Sequence, residues 1–171
     1  MASYTADIAW ALRDGEDFAK GRYSRGHVIS FDGGLIVPAS ASPHVVGKWA
    51  VEEAVDPEEM FVAALSNCHM LTFLHKARLA GFVAVAYRDH ASGTMEEVAP
   101  GRMAVTRVTL SPQIEWRGEA PDADQLADLH HQAHEECFIA NSVKTQVTVA
   151  ARPSSARPGE SRDPSSSSGL A

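Results

Sequence analysis

Cysteine is scarce in this chain, with Cys68 and Cys137 the only two among 171 residues. Two thiols so far apart in sequence fit neither a four-thiolate zinc site, nor a CxxC redox motif, nor a disulfide framework. They leave two readings open: a pair that acts together, or two buried small hydrophobes. Positive charge is also short, since 15 Lys and Arg stand against 22 Asp and Glu for a net charge of −7. That balance disfavours phosphate backbones and anionic membrane surfaces, so neither nucleic acid nor membrane is expected as a partner. Long apolar runs are missing too. A membrane-spanning helix needs roughly 20 apolar residues, and the longest stretch, residues 60–74, is interrupted by Ser66, Asn67 and His69. The first residues lack the basic patch followed by an apolar run that a secretory signal carries. A cytoplasmic protein with reduced thiols is therefore expected.

What is present is enough for one core, because 44% of the chain is hydrophobic and the length suits a single domain. Residues 152–171 hold seven Ser and three Pro but little to bury. They read as a disordered tail appended to a domain over residues 1–151. Near the start, Tyr4, Ala6, Ile8, Trp10 and Leu12 alternate like a strand with one buried face. Residues 26–31, the glycines of Asp32-Gly33-Gly34 and then residues 35–37 read as a hairpin. Asp56-Pro57-Glu58-Glu59 opens the clearest helix, with an N-cap, a proline at the first helical position and a capping-box carboxylate. Gly81 is its stop. Met60, Phe61, Ala64, Leu65, Cys68, Leu71, Thr72 and Leu79 are expected to form its core face. Residues 82–87 and 103–110 read as strands, with Ser92-Gly93 at or near a turn or bulge between them. Pro112 ends or bends the second run before residues 113–116. A second helix is expected from Asp122 to about Cys137, with Leu126, Leu129, Ala133 and Cys137 on one face, followed by a strand over residues 143–149. This order of elements is α+β.

Both cysteines fall on the apolar faces of these two helices, and two helices packed on one sheet bring such faces together. One outcome is a reactive thiolate with a resolving partner: the first sulfur becomes a sulfenic acid and the second condenses with it to a disulfide. The plain alternative is two inert core thiols. Periodicity does not choose, because a reactive thiolate needs a nearby cation. A third reading comes from His130, His134 and Cys137, whose spacing puts N, N and S ligands on one helix face. It would make this a metal-binding or redox-sensing protein without catalysis. His69 and His75 are assigned packing or interface roles.

Residues 56–70, DPEEMFVAALSNCHM, resemble the helix motif of the OsmC/Ohr family, the osmotically inducible and organic hydroperoxide resistance proteins. Residues 130–142, HHQAHEECFIANS, resemble the family's second cysteine motif. The resemblance runs over about residues 4–149, and the CHM form of the first motif is similar to an OsmC-like branch. It implies an intertwined homodimer with antiparallel sheets around two core helices. It also implies a cysteine-based thiol peroxidase that reduces organic hydroperoxides to alcohols in oxidative stress defence. No bound cofactor is implied; the reductant is an external dithiol such as a lipoyl group.

By the same resemblance Cys68 is the peroxidatic nucleophile, Cys137 the resolving thiol, Arg25 the thiolate-stabilising cation with Arg22 as the fallback, and Glu58 the carboxylate that holds the arginine. Arginine suits that task because it is permanently charged, favours the thiolate, and donates to the peroxide oxygen as charge develops. On a straight helix Glu58 and Cys68 lie about 15 Å apart. One arginine therefore meets both only if the helix breaks near Ser66 and Asn67 or a second subunit contributes. Phe61, Leu65 and Leu71 around Cys68 are expected to form a greasy pocket that favours alkyl or lipid hydroperoxides.

Overall fold

Asp56 begins the element on which the rest of the molecule is assembled. In the computed structural model, which describes residues 1–150, the Asp56 carboxylate accepts from Glu59 N (2.7 Å) while Asp56 N donates to Glu59 Oε2 (3.0 Å). This reciprocal cap, with Pro57 behind it, starts a 23-residue helix that ends at Leu79. Its end is equally well defined: Phe82 N donates to Ala77 O, Gly81 N donates to Arg78 O, and Gly81 takes φ 87°. These are the paired bonds of a Schellman close, and the positive φ is the reason glycine stands there. The tail assigned to residues 152–171, and the last residue of the domain assigned to 1–151, lie outside the described residues.

The strands are β1 (Ala6–Ala9), β2 (His27–Phe31), β3 (Ile36–Ala39), β4 (Val83–Asp89), β5 (Ser92–Ala99), β6 (Arg102–Leu110), β7 (Pro112–Arg117) and β8 (Gln146–Val149). The helices are α1 (Pro43–Val46), α2 (Pro57–Leu79) and α3 (Ala123–Glu135). β1, β2 and β3 form one antiparallel sheet, β4 and β7 a second, and β5, β6 and β8 a third. The α+β class holds, and the sheets are antiparallel except for one pair: β8 runs parallel to β6, with Val108 opposite Val147. The chain reaches β8 only after the α3 crossover, and such a long connection permits parallel pairing. Ser92 and Gly93 follow the short connection from β4 and precede a break in register between Thr94 and Met95; they open β5 and pair with Thr109 and Val108 of β6. Pro112 is the first residue of β7, a position where the missing N–H is tolerated. The closing strand is shorter than expected and begins at Gln146.

α2 carries both halves of the core. Phe73 and Ala77 pack with Ile114, Leu129 and Ala133, flanked by Tyr87 and Trp116. About two to three turns earlier, Leu65 packs with Val108 and Leu110. The buried seam of α2 is Leu65, His69, Phe73 and Ala77, a row of residues four apart. Within this chain Ala64, Leu71 and Leu79 point away from it, and Leu71 is 59% exposed. The expected core face was therefore rotated. Apolar residues run all the way around this helix, so periodicity does not select a side. The strand β1 is likewise uncovered, with Ile8 64% exposed.

Gly93 sits where β5 passes under α2, and a Cβ there would come within 2.7 Å of the Val62 side chain. Because Val62 is β-branched and stiff in a helix, Gly93→Ala is expected to cost about 1–3 kcal/mol by overpacking. Thermal unfolding of the variant checks this, and adding Val62→Ala is expected to recover most of the loss.

Candidate active site

Cys68 lies midway along α2, at the border between the buried seam and the exposed Ala64 and Leu71 face, and it is half-buried. Cys137 lies just past the C-terminus of α3 and is 1% exposed. α3 is brought across α2 by its own capping box, in which Asp122 accepts from Gln125 N and Gln125 Oε1 accepts from Asp122 N. Leu129 and Ala133 then seat it on Phe73 and Ala77. The result makes the two free thiols neighbours where α3 crosses α2. Burial pushes the Cys137 thiol pKa up and the neighbouring Cys68 sulfur adds to this, while Ala140 N–H, 3.5 Å from Cys137 Sγ, pulls the other way. At neutral pH Cys137 is held as a thiol. That suits a group that waits for a partner sulfur to be oxidised rather than one that attacks first.

The other site residues expected from sequence are not assembled around the thiols within this chain. Arg25 donates from Nη1 to Tyr23 O (2.7 Å), and its guanidinium carbon lies 3.5 Å from the Tyr23 ring centroid. Among the described residues no salt bridge joins it to Glu58. Arg22 pairs its backbone with Asp17 in a tight turn. Glu58 lies at the start of α2 and lines an open cleft of about 900 Å³, together with Val62, Ser66, Met70 and Met95. Cys68 does not line that cleft, because at 100° per residue it sits about 200° around the helix from Ser66. α2 runs without interruption through Ser66 and Asn67. A broken helix therefore does not bring Glu58 to Cys68.

The greasy pocket expected from Phe61, Leu65 and Leu71 is not formed by those three. Leu65 is fully buried in the core with Phe61 packed beside it, whereas Leu71 faces outward. His130 and His134 do not form a metal centre with Cys137. His130 Nδ1 is 3.0 Å from His69 Nε2, and among the described residues no group of three His, Cys, Asp or Glu side chains is placed to hold a metal ion. This buried histidine pair is the feature that sequence reasoning missed. The only signal for it was that His69 stands four residues from both Leu65 and Phe73, in register with apolar neighbours.

The chain matches the OsmC-like protein family model over residues 50–152, and it belongs to that family. Its fold is shared with an OsmC-like protein of unknown function from Vibrio cholerae: TM-score 0.84, 47% identity, 88% of this chain and 99% of that one covered. An organic hydroperoxide resistance protein from Elizabethkingia anophelis aligns at TM-score 0.64 and 18% identity, over 89% of this chain and 98% of that one. One from Legionella pneumophila aligns at 0.60 and 15%, over 88% and 98%. At those identities the likeness is one of fold. No curated protein matches the chain. Among the described residues no helix is long and apolar enough to cross a membrane.

The histidine pair carries a pH signature. Burial pushes both His69 and His130 down from 6.5 to about 4, with the nearby His134 lowering His69 further and Asp89 opposing it. Their pKa is lower folded than unfolded, so the unfolded chain binds more protons between pH 6.5 and about 4. The stability they confer is present above 6.5 and drains away as pH falls toward 4. Chemical denaturation across this window is expected to show the slope, and a His69→Gln/His130→Asn double variant is expected to flatten it.

Proposed function

We propose that this protein is a thiol peroxidase that reduces organic hydroperoxides to alcohols. The observation that carries the reading is the placement of Cys68 and Cys137 as neighbours where α3 crosses α2. The Cys68 thiolate attacks the distal peroxide oxygen, the O–O bond breaks, and the alkoxide leaves with a proton as the alcohol. Cys68 is now a sulfenic acid. The Cys137 sulfur attacks the Cys68 sulfur, and the hydroxyl leaves as water with the thiol's proton. A dithiol reductant such as a lipoyl group then reduces the disulfide and is itself oxidised. Because the thiols must be returned to the reduced state, the reading places the protein in the cytoplasm.

The working unit in this reading is a homodimer. The unbroken α2 keeps Glu58 and Cys68 apart, and Arg25 is turned onto its own Tyr23. The cation for Cys68 is therefore assigned to the partner subunit's Arg25, held by a carboxylate at Glu58. The uncovered Ala64, Leu71 and Leu79 stripe, together with the uncovered β1, supplies the apolar area that a second copy would bury. Cys68 borders that stripe, so closing the dimer over it gives the substrate an apolar wall.

Peroxide consumption with a dithiol reductant tests the reading. Cys68→Ser is expected to fall to the rate of buffer and dithiol alone, and retained turnover would contradict the mechanism. Cys137→Ser is expected to complete one turnover and stall as the sulfenic acid. Cumene or lipid hydroperoxides are expected to be consumed faster than hydrogen peroxide, and equal rates would remove the apolar wall from the account. For the arginine, the alkylation rate of Cys68 against pH is expected to shift to higher pH in Arg25→Ala. An unchanged profile would take Arg25 out of the site.

A further inference from the structure

The cysteine chemistry leaves the buried polar contact between α2 and α3 without a role. His69 Nε2 and His130 Nδ1 are 3.0 Å apart, with the rings inclined by only 13° and their centroids 5.3 Å apart. His130 also stacks on Phe73 at 4.3 Å. His69 is fully buried, yet its Nδ1 has no partner among the described residues. Taking two imidazoles out of water is costly. Two well-packed apolar side chains would bind the helices together at least as firmly. What the pair adds is direction. The contacts of Phe73, Ala77, Leu129 and Ala133 are non-directional, whereas a hydrogen bond of this length is lost once it stretches beyond about 3.5 Å. That displacement is a fraction of the roughly 1.5 Å rise of one helical residue.

The groups that need such register are next to the pair in sequence. Cys68 immediately precedes His69, and Cys137 follows His130 by about two helical turns. A disulfide between them requires Cα atoms roughly 4.4–6.8 Å apart and a restricted torsion about the S–S bond. The other side-chain tie between the two helical segments, Lys76 to Glu136, uses a carboxylate whose side chain is largely in solvent, and such a pair fixes geometry weakly.

We propose that His69 and His130 are a positioning pair for the thiol site: their interhelical hydrogen bond sets the register of α2 on α3 that lets Cys137 attack the oxidised Cys68 sulfur. The proposal rests on the thiol peroxidase reading and assigns the pair to one of its steps. Attack of Cys68 on the peroxide needs one helix and is insensitive to the pair. Condensation of the Cys68 sulfenic acid with the Cys137 thiol, which forms the S–S bond and releases water, needs both helices in register.

The test is single-turnover reaction of the full chain with one equivalent of cumene hydroperoxide, following sulfenic acid by dimedone trapping and the disulfide by mass spectrometry. His130→Phe keeps the bulk and the stacking but removes the ring nitrogen that bonds His69. It is expected to slow disulfide formation about ten-fold, the scale of one lost hydrogen bond, leaving sulfenic acid formation unchanged. His130→Asn, whose side-chain oxygen stands near the place of Nδ1, is expected to restore most of the rate. Should the aromatic variant fail to fold, the contrast at His69 serves: Gln reaches the position of Nε2 and Asn does not, so His69→Gln is expected to form the disulfide faster than His69→Asn. Unchanged disulfide formation in His130→Phe, or equal rates for the Gln and Asn variants, would overturn the positioning role. A wild-type chain that forms no sulfenic acid would overturn the peroxidase reading instead. The pair is then read from the equilibrium of the Cys68–Cys137 disulfide with dithiothreitol, where His130→Phe is expected to disfavour the disulfide about ten-fold and an unchanged equilibrium overturns the role.

Discussion

The crossing of α3 over α2 is the contact on which the chemistry of this molecule depends. It is made largely of small and flat groups, with Ala77 and Ala133 allowing close approach and Phe73 lying between His69, His130, Tyr87 and Trp116. The sheets serve this crossing. β4 and β7 lie against its Phe73 end, while β6 takes up Leu65 further back along α2. Neither cysteine is brought to the other by local sequence. Cys68 is placed by a helix capped at both ends, and Cys137 by where α3 stops.

The two sulfurs stand in different surroundings, which is what the proposed division of tasks rests on. Cys137 is fully buried and burial pushes its thiol pKa up. Cys68 is more open and borders an apolar helix face that one chain leaves uncovered. The continuity of α2 keeps ten residues of straight helix between Glu58 and Cys68, so the proposed site is incomplete within one chain. The proposed assembly of two chains would answer the uncovered apolar area and the missing cation together. The two problems are one constraint seen from two sides.

Much of this was legible in the sequence, wherever local chemistry is decisive. Asp56, Pro57 and Glu59 fix the start of α2, and Gly81 fixes its end, because caps act within one turn. Asp122 does the same for α3. The two cysteine motifs identified the family. Legibility failed where tertiary contact decides. On a helix apolar all round, nothing local says that Leu65, His69, Phe73 and Ala77 turn inward while Leu71 and Leu79 turn out. Gly93 marks the neighbourhood of a turn or bulge in the sequence, but nothing local says that Val62 comes too close there for a Cβ. The parallel pairing of β8 is a property of the crossover, and the partnership of His69 with His130 spans sixty-one positions with no pattern to announce it.

The most direct measurement is a thiol count on the full chain before and after one equivalent of an organic hydroperoxide, with the cross-linked peptide identified by mass spectrometry. The account predicts that both thiols are lost per chain, that one alcohol appears, and that Cys68 is joined to Cys137 of the same chain. Two thiols still titratable after the peroxide is consumed, or a disulfide that joins different chains, would contradict it.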